Sequence, residues 1–251
     1  MATAKDWFLD EQLWLEFYQT MFSAQQFTYA AEQIPQIIQL TGQQPEKILD
    51  LACGPGRHVL PLAKHGYAVT AVDTSKYLLS RMADAISASK ASAQVEIVNA
   101  DMREFKRSES FDLILSMWTS FGYFEHPGDD QSVLQNVYQS LAEGGKFLLD
   151  VAGKEYIIHN YEPVLVRELE SDDVLIEQPV LTDNLSRMEN AWTLLAGDSV
   201  YRAHFSINIY TAIELQTMLF DAGFTAVQIF GDLEGGEYDL DSDRLILLAS
   251  K

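Results

Sequence analysis

The chain has 251 residues, 47% of them apolar and 22% charged, which is ordinary for a globular protein with one α/β domain and an insertion or small lobe. Its 37 acidic and 17 basic residues give a formal net charge of −20, which argues against nucleic acid or an anionic membrane and favours a neutral or cationic small molecule. A single cysteine, no apolar run of ~20 residues and no signal-peptide core at the first residues lead us to expect a cytoplasmic protein.

The first forty residues are predicted to form helices that are rich in aromatic side chains. Over residues 6–40 the apolar positions follow helical spacing, and the run ends at Thr41 and Gly42, a typical helix stop. So many aromatic residues before the first strand indicate a helical cap, residues 1–44, that packs over something. A plain amphipathic helix on the core is the alternative.

A strand, a tight turn and a helix at residues 48–64 form the segment around which the rest is organised. Such a unit gathers backbone N–H groups and a helix N-terminus at one point, where a ligand's polar groups can approach the main chain. A side chain at Gly54 or Gly56 would block that approach. Asp50, at the end of the strand, can accept hydrogen bonds from a cationic amino group. A dinucleotide-binding G-x-G-x-x-G motif would need a third glycine where Val59 stands, and a simple turn is the other alternative.

Residues 50–58, with the sequence DLACGPGRH, resemble motif I of the class I S-adenosylmethionine-dependent methyltransferases. The family usually has glycine at the position of Ala52, a difference of one methyl group. The resemblance covers residues 45–151 and resumes near 211–250. It implies S-adenosylmethionine as the cofactor, and the motif residues implied to bind it are Asp50, Ala52, Cys53, Gly54, Gly56 and Arg57.

The second predicted strand, residues 67–72, ends at an acidic side chain that suits a ribose. The two oxygens of Asp73 can accept hydrogen bonds from both hydroxyl groups of a ribose diol. Its position matches the ribose-binding acidic residue of the resembling family, and Thr74 beside it is included in the predicted cofactor site. The alternative is that Asp73 only caps the following helix.

The third and fourth predicted strands lead to the remaining cofactor candidates. Residues 95–100 form the third strand. The resemblance implies that Asp101 contacts the adenine amino group and that the backbone N–H of Met102 contacts the adenine ring. A surface carboxylate is the alternative for Asp101. The fourth strand, residues 111–117, is almost continuously apolar, as in a strand buried on both faces, and Ser116 near its end completes the predicted cofactor set.

An aromatic loop, residues 118–124, follows the fourth strand. Ligands of open parallel sheets bind at the carboxyl ends of the strands, so this loop is expected to face the site. Trp118 and Tyr123 can stack on a substrate or attract a sulfonium through cation–π interactions, unless they merely plug the core. In the resembling family N-terminal helices often close over the cofactor and substrate, which makes Tyr18 and Tyr29 further substrate-pocket candidates.

The alternation of strands and helices predicts a Rossmann-like, doubly wound, mostly parallel seven-stranded sheet with helices on both faces. Its core is residues 45–151 and 211–251, with the last two strands as an antiparallel hairpin at the edge. Residues 152–210 hold no convincing helix and are predicted to form an antiparallel β insertion, which is a substrate lid or a dimer surface. Its strands are expected at 164–170, 174–180, 185–195 and 200–209.

Methyl transfer from a sulfonium depends mainly on alignment and exclusion of water. The sequence contains no metal-ligand spacing and no obvious His/Asp or Cys/His constellation. No catalytic residue is therefore assigned, and His126, His159, His204 and Tyr18 are only candidates for a base.

We therefore predict an S-adenosylmethionine-dependent methyltransferase acting on a small-molecule acceptor, with N- or O-methylation favoured over C-methylation. Two alternatives stay open. One is a methyltransferase that modifies a tRNA nucleoside, against which the charge argues. The other is a non-catalytic protein that binds S-adenosylmethionine or S-adenosylhomocysteine. The acceptor is undetermined, and the protein is either a monomer or a homodimer.

Overall fold

The computed structural model describes residues 6–42, 44–89 and 94–251, and its strands form two sheets. The strands are β1 (Lys47–Leu51), β2 (Ala68–Asp73), β3 (Val95–Asn99), β4 (Phe111–Ser116), β5 (Leu141–Val151), β6 (Leu165–Glu168), β7 (Val174–Thr182), β8 (Arg187–Ala196), β9 (Ser199–Asn208), β10 (Ala226–Phe230) and β11 (Leu245–Ser250). The helices are α1 (Glu11–Glu16), α2 (Tyr18–Met21), α3 (Ala24–Thr41), α4 (Val59–Lys64), α5 (Lys76–Ser89), α6 (Pro127–Ser140), α7 (Lys154–His159) and α8 (Ala212–Ala222).

The main sheet has seven strands in the order β10-β11-β5-β4-β1-β2-β3. Strands β1 to β5 pair in parallel, whereas β11 runs antiparallel to both β5 and β10. The central strands are apolar because both their faces are covered, and Ile48, Leu113 and Leu148 are fully buried. The predicted fold class, a mostly parallel Rossmann-like sheet with an antiparallel insertion, is confirmed.

The second sheet is an antiparallel meander in the order β6-β7-β8-β9. The expectation that residues 152–210 contain no helix is wrong, because α7 lies there. This helix has only six residues and no side chain at its N-cap, so its sequence shows no helical period. Tertiary contacts hold it instead: the carboxylate of Glu155 accepts hydrogen bonds from Ala212 N (3.1 Å) and from the hydroxyl of Tyr238 (3.1 Å).

The N-terminal residues are helical as predicted, but they form several short pieces before α3. A 3-10 turn at Trp7–Leu9, α1 and α2 come first, and we call residues 6–22 the cap. Glu11 fixes the cap to the start of α5, where its carboxylate accepts from Ser75 Oγ at 2.6 Å and Lys76 N at 2.7 Å. Residues 1–5 and 43 of the predicted N-terminal region, and residues 90–93, lie outside the described part of the chain.

The second sheet and the cap both lie against the loop that follows β4. Asn208 N donates to the carbonyl oxygen of Gly122, and a Cβ on this glycine would come within 2.5 Å of Asn208 O. Gly122 also has φ +97°, so glycine is required at this close approach. Trp7 Nε1 donates to Ser206 O at 2.8 Å and joins the cap to β9. In the described residues, no helix is both long and apolar enough to cross a membrane.

Candidate active site

A cavity of about 520 Å³ lies between the main sheet, the cap and the antiparallel sheet. It opens at the carboxyl ends of β1, β2 and β4, which is where ligands bind in open parallel sheets. The structure brings most of the candidate cofactor and substrate residues together around it. Those that line the cavity are Ala52, Cys53, Gly54, Arg57, Asp73, Thr74, Asp101, Met102, Trp118 and Tyr123.

The turn after β1 needs small residues for two separate reasons. Gly56 has φ +86°, and a Cβ there would come within 2.7 Å of the side chain of Met82 on α5. Ala52 itself has φ +58°, in the left-handed region that favours glycine. Alanine instead of glycine at position 52 therefore adds a methyl group and also places a side chain in the left-handed region. The backbone strain costs roughly 1–2 kcal/mol.

Two polar atoms are buried without partners beneath the turn. Asp50 is 2% exposed, and its Oδ2 has no hydrogen-bond partner. Ser116 Oγ, at the end of the neighbouring strand β4, is also buried and unpartnered. Burial raises the pKa of Asp50 to about 7, against the opposing effect of Arg57. Neither residue is among those that line the cavity, but Asp50 lies directly beneath its wall, two residues before the lining residue Ala52. A buried unpaired carboxylate of this kind is satisfied by a cationic donor.

Arg57 provides a cation in the cavity wall. Its guanidinium lies 4.1 Å from the ring centroid of Trp118 and 4.9 Å from that of Phe22, and Nη1 donates to Met21 O at 3.4 Å. Burial lowers the pKa of Arg57 to about 10, so the side chain remains charged at neutral pH. No carboxylate among the described residues forms an ion pair with it, which leaves this cation available to an anionic ligand group.

Gln33 on α3 orients the tryptophan on which Arg57 stacks. Its Oε1 accepts from Trp118 Nε1 at 3.1 Å and lies 3.0 Å from His58 Nε2. Burial and, to a smaller extent, the nearby charge of Arg57 lower the pKa of His58 to about 3, so the imidazole is neutral. A neutral imidazole protonated at Nε2 donates this second hydrogen bond.

The backbone of the aromatic loop is held in a strained conformation. Trp118 and Thr119 have φ values of 58° and 62°, which residues other than glycine rarely adopt. Asp150 at the end of β5 accepts from Trp118 N through Oδ2 at 3.1 Å and from Thr119 N through its carbonyl at 2.9 Å. Arg244 Nε donates to the other oxygen of this carboxylate at 2.6 Å. These contacts fix the wall of the cavity next to the cofactor turn.

Asp73 and Asp101 lie where the sequence placed them, and both already have protein partners. Asp73 Oδ2 accepts from Gly54 N at 2.8 Å and Oδ1 from Ser75 N at 2.9 Å, while burial raises its pKa. Asp101 is paired with Arg103, whose Nη2 lies 2.6 Å from Oδ2. Carboxylate oxygens accept more than one hydrogen bond, so both residues can still bind a ligand.

Aromatic side chains from the cap and the antiparallel sheet form the other half of the cavity, and sequence reasoning missed most of them. The ring of Trp7 lies 4.6 Å from Tyr123 and 4.9 Å from Phe205, which in turn packs edge-on against Trp192 at 4.9 Å. Burial raises the pKa of Tyr123 to about 12, so its hydroxyl is protonated. Other lining residues that were not predicted include Phe8, Trp14, Thr20, Phe22, Tyr156, Arg167, Glu177, Met188 and Asn190.

Several predicted residues do not line the cavity. Tyr18 packs on the outer side of the cap against Tyr77, with Arg81 over its ring at 4.8 Å. Tyr29 is exposed, although its ring lies 5.9 Å from Trp118. The candidate bases are all exposed: His126 directly before α6, His159 at the end of α7 and His204 on the outward face of β9. The described residues contain no cluster of three or more His, Cys, Asp or Glu that could hold a metal ion.

Comparison with known proteins agrees with this geometry. Residues 48–145 match a family model described as a methyltransferase domain. A protein of Geobacillus sp. (strain WCH70) that is named as a methyltransferase is 26% identical over 217 residues, covering 83% of this chain and 86% of the relative. A glycine/sarcosine N-methyltransferase of Aphanothece halophytica is 25% identical over 216 residues, covering 82% and 76%.

Solved structures of low sequence identity share the fold. The CcbJ methyltransferase from Streptomyces caelestis superimposes with a TM-score of 0.78 at 18% identity, over 88% of each chain. The sugar N-methyltransferase KedS8 from Streptoalloteichus sp. superimposes with a TM-score of 0.71 at 16% identity, over 94% of this chain and 91% of that one.

Proposed function

Since this chain is a class I S-adenosylmethionine-dependent methyltransferase, we propose that it methylates an amine nitrogen of a small-molecule acceptor. The observation that carries the proposal is a single cavity in which the cofactor turn meets a second, aromatic wall with polar side chains. Similarity to a glycine/sarcosine N-methyltransferase and to a sugar N-methyltransferase favours nitrogen over oxygen.

The buried polar groups fit the amino-acid portion of the cofactor. The unpartnered Asp50 carboxylate is suited to its ammonium group, and the Arg57 guanidinium is suited to its carboxylate. The buried hydroxyl of Ser116, also without a partner, lies in the strand beside Asp50. Leaving these buried groups without partners costs free energy, and the bound cofactor would supply the partners.

The nucleoside portion would be held at the ends of the next two strands. Asp73 would accept hydrogen bonds from the ribose hydroxyls, while Asp101 and Met102 border the place for the adenine. The cofactor supplies a methyl group on a positively charged sulfur. Trp118 and Tyr123 line the cavity, and a ring that faces the sulfur would attract that charge by ~0.5–2 kcal/mol.

The protein would act on the acceptor mainly by alignment and desolvation. The aromatic wall excludes water and disfavours the charged form of a buried amine, which keeps its lone pair available. That lone pair forms the new nitrogen–carbon bond as the carbon–sulfur bond breaks, and the product ammonium releases a proton to solvent. Correct alignment alone is worth ~7–11 kcal/mol.

The organisation of the chain is part of the proposal. We assign residues 1–44, which include the cap and α3, to an N-terminal helical region, residues 45–151 and 211–251 to the cofactor-binding core, and residues 152–210 to an insertion that covers the acceptor. A dimer surface on the insertion is the alternative role. The enzyme would act in the cytoplasm as a monomer or homodimer, and its charge of −20 argues against a nucleic-acid acceptor.

Titration calorimetry with S-adenosylmethionine, S-adenosylhomocysteine and NAD is the first test. We expect micromolar binding of both sulfur compounds and none of NAD. Release of S-adenosylhomocysteine is then measured with a panel of small primary and secondary amines. Binding without turnover of any amine would contradict the proposed reaction, whereas binding of NAD alone would contradict the cofactor assignment.

A further inference from the structure

The inner face of the antiparallel sheet has polar side chains at positions where strand alternation places apolar ones. Glu177 on β7 pairs with Trp192 on β8, and Asn190 on β8 pairs with Phe205 on β9. Directly opposite residues in an antiparallel pair share one face, so all four belong to the face that lines the cavity. A buried polar residue among core positions is informative because it needs a partner.

Within the described part of the chain, the amide nitrogen of Asn190 has no such partner. Asn190 is 8% exposed, and its Nδ2 is buried without a hydrogen bond. Thr20, which lines the same cavity from the cap, also has its Oγ1 buried and unpartnered. Leaving such groups unsatisfied is costly, so two separate elements offer hydrogen bonds to something in the cavity.

The neighbouring charged residues neutralise each other. Arg167 Nε lies 2.8 Å from Glu177 Oε2, and the Glu177 side chain is only 14% exposed, whereas that of Arg167 is 54% exposed. Trp192 is the direct cross-strand neighbour of Glu177. This part of the cavity therefore combines flat aromatic rings with an amide, a carboxylate and a guanidinium that together carry no net charge.

We propose that this face is the recognition subsite for the methyl acceptor, and that the acceptor is a hydroxylated cyclic amine of the amino-sugar type. The inference rests on the proposed function. A hydroxyl group both donates and accepts, so it can satisfy the amide of Asn190 and the carboxylate of Glu177. The C–H face of a saturated ring packs on Trp192. A phosphate or carboxylate fits less well, because it would meet the charge of Glu177.

The test compares two ring amines of similar size, an amino hexose such as D-glucosamine and cyclohexylamine, which has no hydroxyl groups. The wild-type protein is expected to use the amino hexose at least about 10-fold better in kcat/KM, because a site built for hydroxyl groups is left unsatisfied by an analogue without them. Asn190→Leu keeps the size of the side chain but removes the amide.

Asn190→Leu should reduce kcat/KM for the amino hexose by about 10- to 100-fold, change that for cyclohexylamine less than twofold, and leave the affinity for S-adenosylmethionine unchanged. If the leucine variant folds poorly, Asn190→Asp takes its place in the test. This variant replaces the amide donor by an acceptor and should produce the same selective loss in kcat/KM for the amino hexose. Thr193→Leu, on the opposite face of β8, is the matched control and should have no effect.

The outcomes separate the two proposals. If both amines are methylated and the Asn190 variants do not change their ratio, the recognition subsite is wrong while the amine methyltransferase stands. If the protein binds S-adenosylmethionine and methylates other amines of the panel but neither of these two, the recognition subsite is wrong while the amine methyltransferase stands. If it methylates no amine of the panel, the proposed function is contradicted and the subsite with it.

Discussion

The two halves of the cavity are built in different ways. The proposed cofactor half comes from short segments at the ends of consecutive strands, and its lining consists of residues 52–54, Arg57, residues 73–74 and residues 100–102. The acceptor half brings together side chains that are far apart in the chain, such as Trp7 and Phe205 at 4.9 Å. A ligand that is the same throughout a family can be bound by a local motif, whereas a variable ligand needs a wall that can change without disturbing the core.

The two halves also differ in charge. The cofactor half contains a buried carboxylate and a buried guanidinium, Asp50 and Arg57, and neither has an ion-pair partner among the described residues. In the acceptor half the charges of Arg167 and Glu177 are paired, and the unsatisfied atoms belong to neutral Asn190 and Thr20. The first half suits a zwitterion and the second a neutral hydroxylated molecule.

The largest expected effect is at Asp50. Its folded-state pKa is about 7, raised by burial from 3.8, so folding disfavours the ionised form. Below about pH 4 Asp50 is protonated in both the folded and the unfolded protein, and the folded protein has its full stability. This stability is lost as the pH rises from about 4 through 7. Asp50→Asn should therefore be more stable than wild type at pH 8 by the order of 2–4 kcal/mol, with little difference at pH 4.

The same substitution should weaken cofactor binding by more than about 10-fold at pH 8, because the ammonium group loses its carboxylate. Urea unfolding at the two pH values and calorimetry at pH 8 check both parts. An equal stability difference at pH 4 and pH 8 would show that Asp50 ionisation is not the cause. Unchanged cofactor affinity would show that Asp50 does not bind the ammonium group.

Asp73→Ala offers a second test of the cofactor half. The loss of a buried carboxylate that is proposed to contact the ribose should weaken binding of S-adenosylmethionine by on the order of 1–3 kcal/mol. Asp112 is a matched control, since its Oδ2 also accepts two backbone N–H groups, at 2.8 and 2.9 Å, but at the opposite end of the main sheet. Asp112→Ala should leave the calorimetric affinity unchanged, and similar losses in both variants would mean a general structural effect.

Gln33→Leu tests whether the tryptophan beneath Arg57 has to be oriented. The change leaves Trp118 Nε1 and His58 Nε2 without their shared acceptor, at a cost of about 1–3 kcal/mol in unfolding free energy. Cofactor affinity should fall a few-fold as Trp118 turns, which calorimetry measures. Gln39→Leu, at an exposed position of the same helix, should change neither quantity. A loss of stability without a loss of affinity would limit Gln33 to a structural role.

The smallest expected effect is at Ala52. Glycine would relieve ~1–2 kcal/mol of strain in the left-handed region. It would also stabilise the unfolded chain by ~0.4–1 kcal/mol through its greater conformational entropy. Ala52→Gly should therefore raise the unfolding free energy by up to about 1.6 kcal/mol. A clear fall in urea-unfolding stability would show that the methyl group contributes packing that exceeds its strain.

The sequence predicts the main sheet and the cofactor turn because both depend on local patterns. Asp50, Gly56 and Asp73 are recognisable from their positions relative to single strands. The short helix α7 was missed because Glu155 is held by contacts with distant residues. The positions of His126, His204 and Tyr18 away from the cavity lining likewise follow from packing between elements, which spacing along one element does not report.

Most of the acceptor half could not be predicted for the same reason. Trp7 and Trp192 are aromatic residues like many others until the cap is placed against the second sheet. One signal was available in the sequence itself. Asn190 interrupts the alternation Met188, Trp192, Leu194 on one face of β8, and a polar residue in an inward register indicates a buried partner or a ligand.

Arg103 joins the start of the cap to the loop that follows β3. Its guanidinium contacts Asp101 at the adenine end and Asp6 at the start of the cap, at 2.6 and 3.1 Å, and its side chain is 24% exposed. Dissolved ions reach and screen pairs with this degree of exposure. The cap should therefore open more readily as ionic strength rises, so that cofactor exchange becomes faster in salt while the buried groups around Asp50 are little affected.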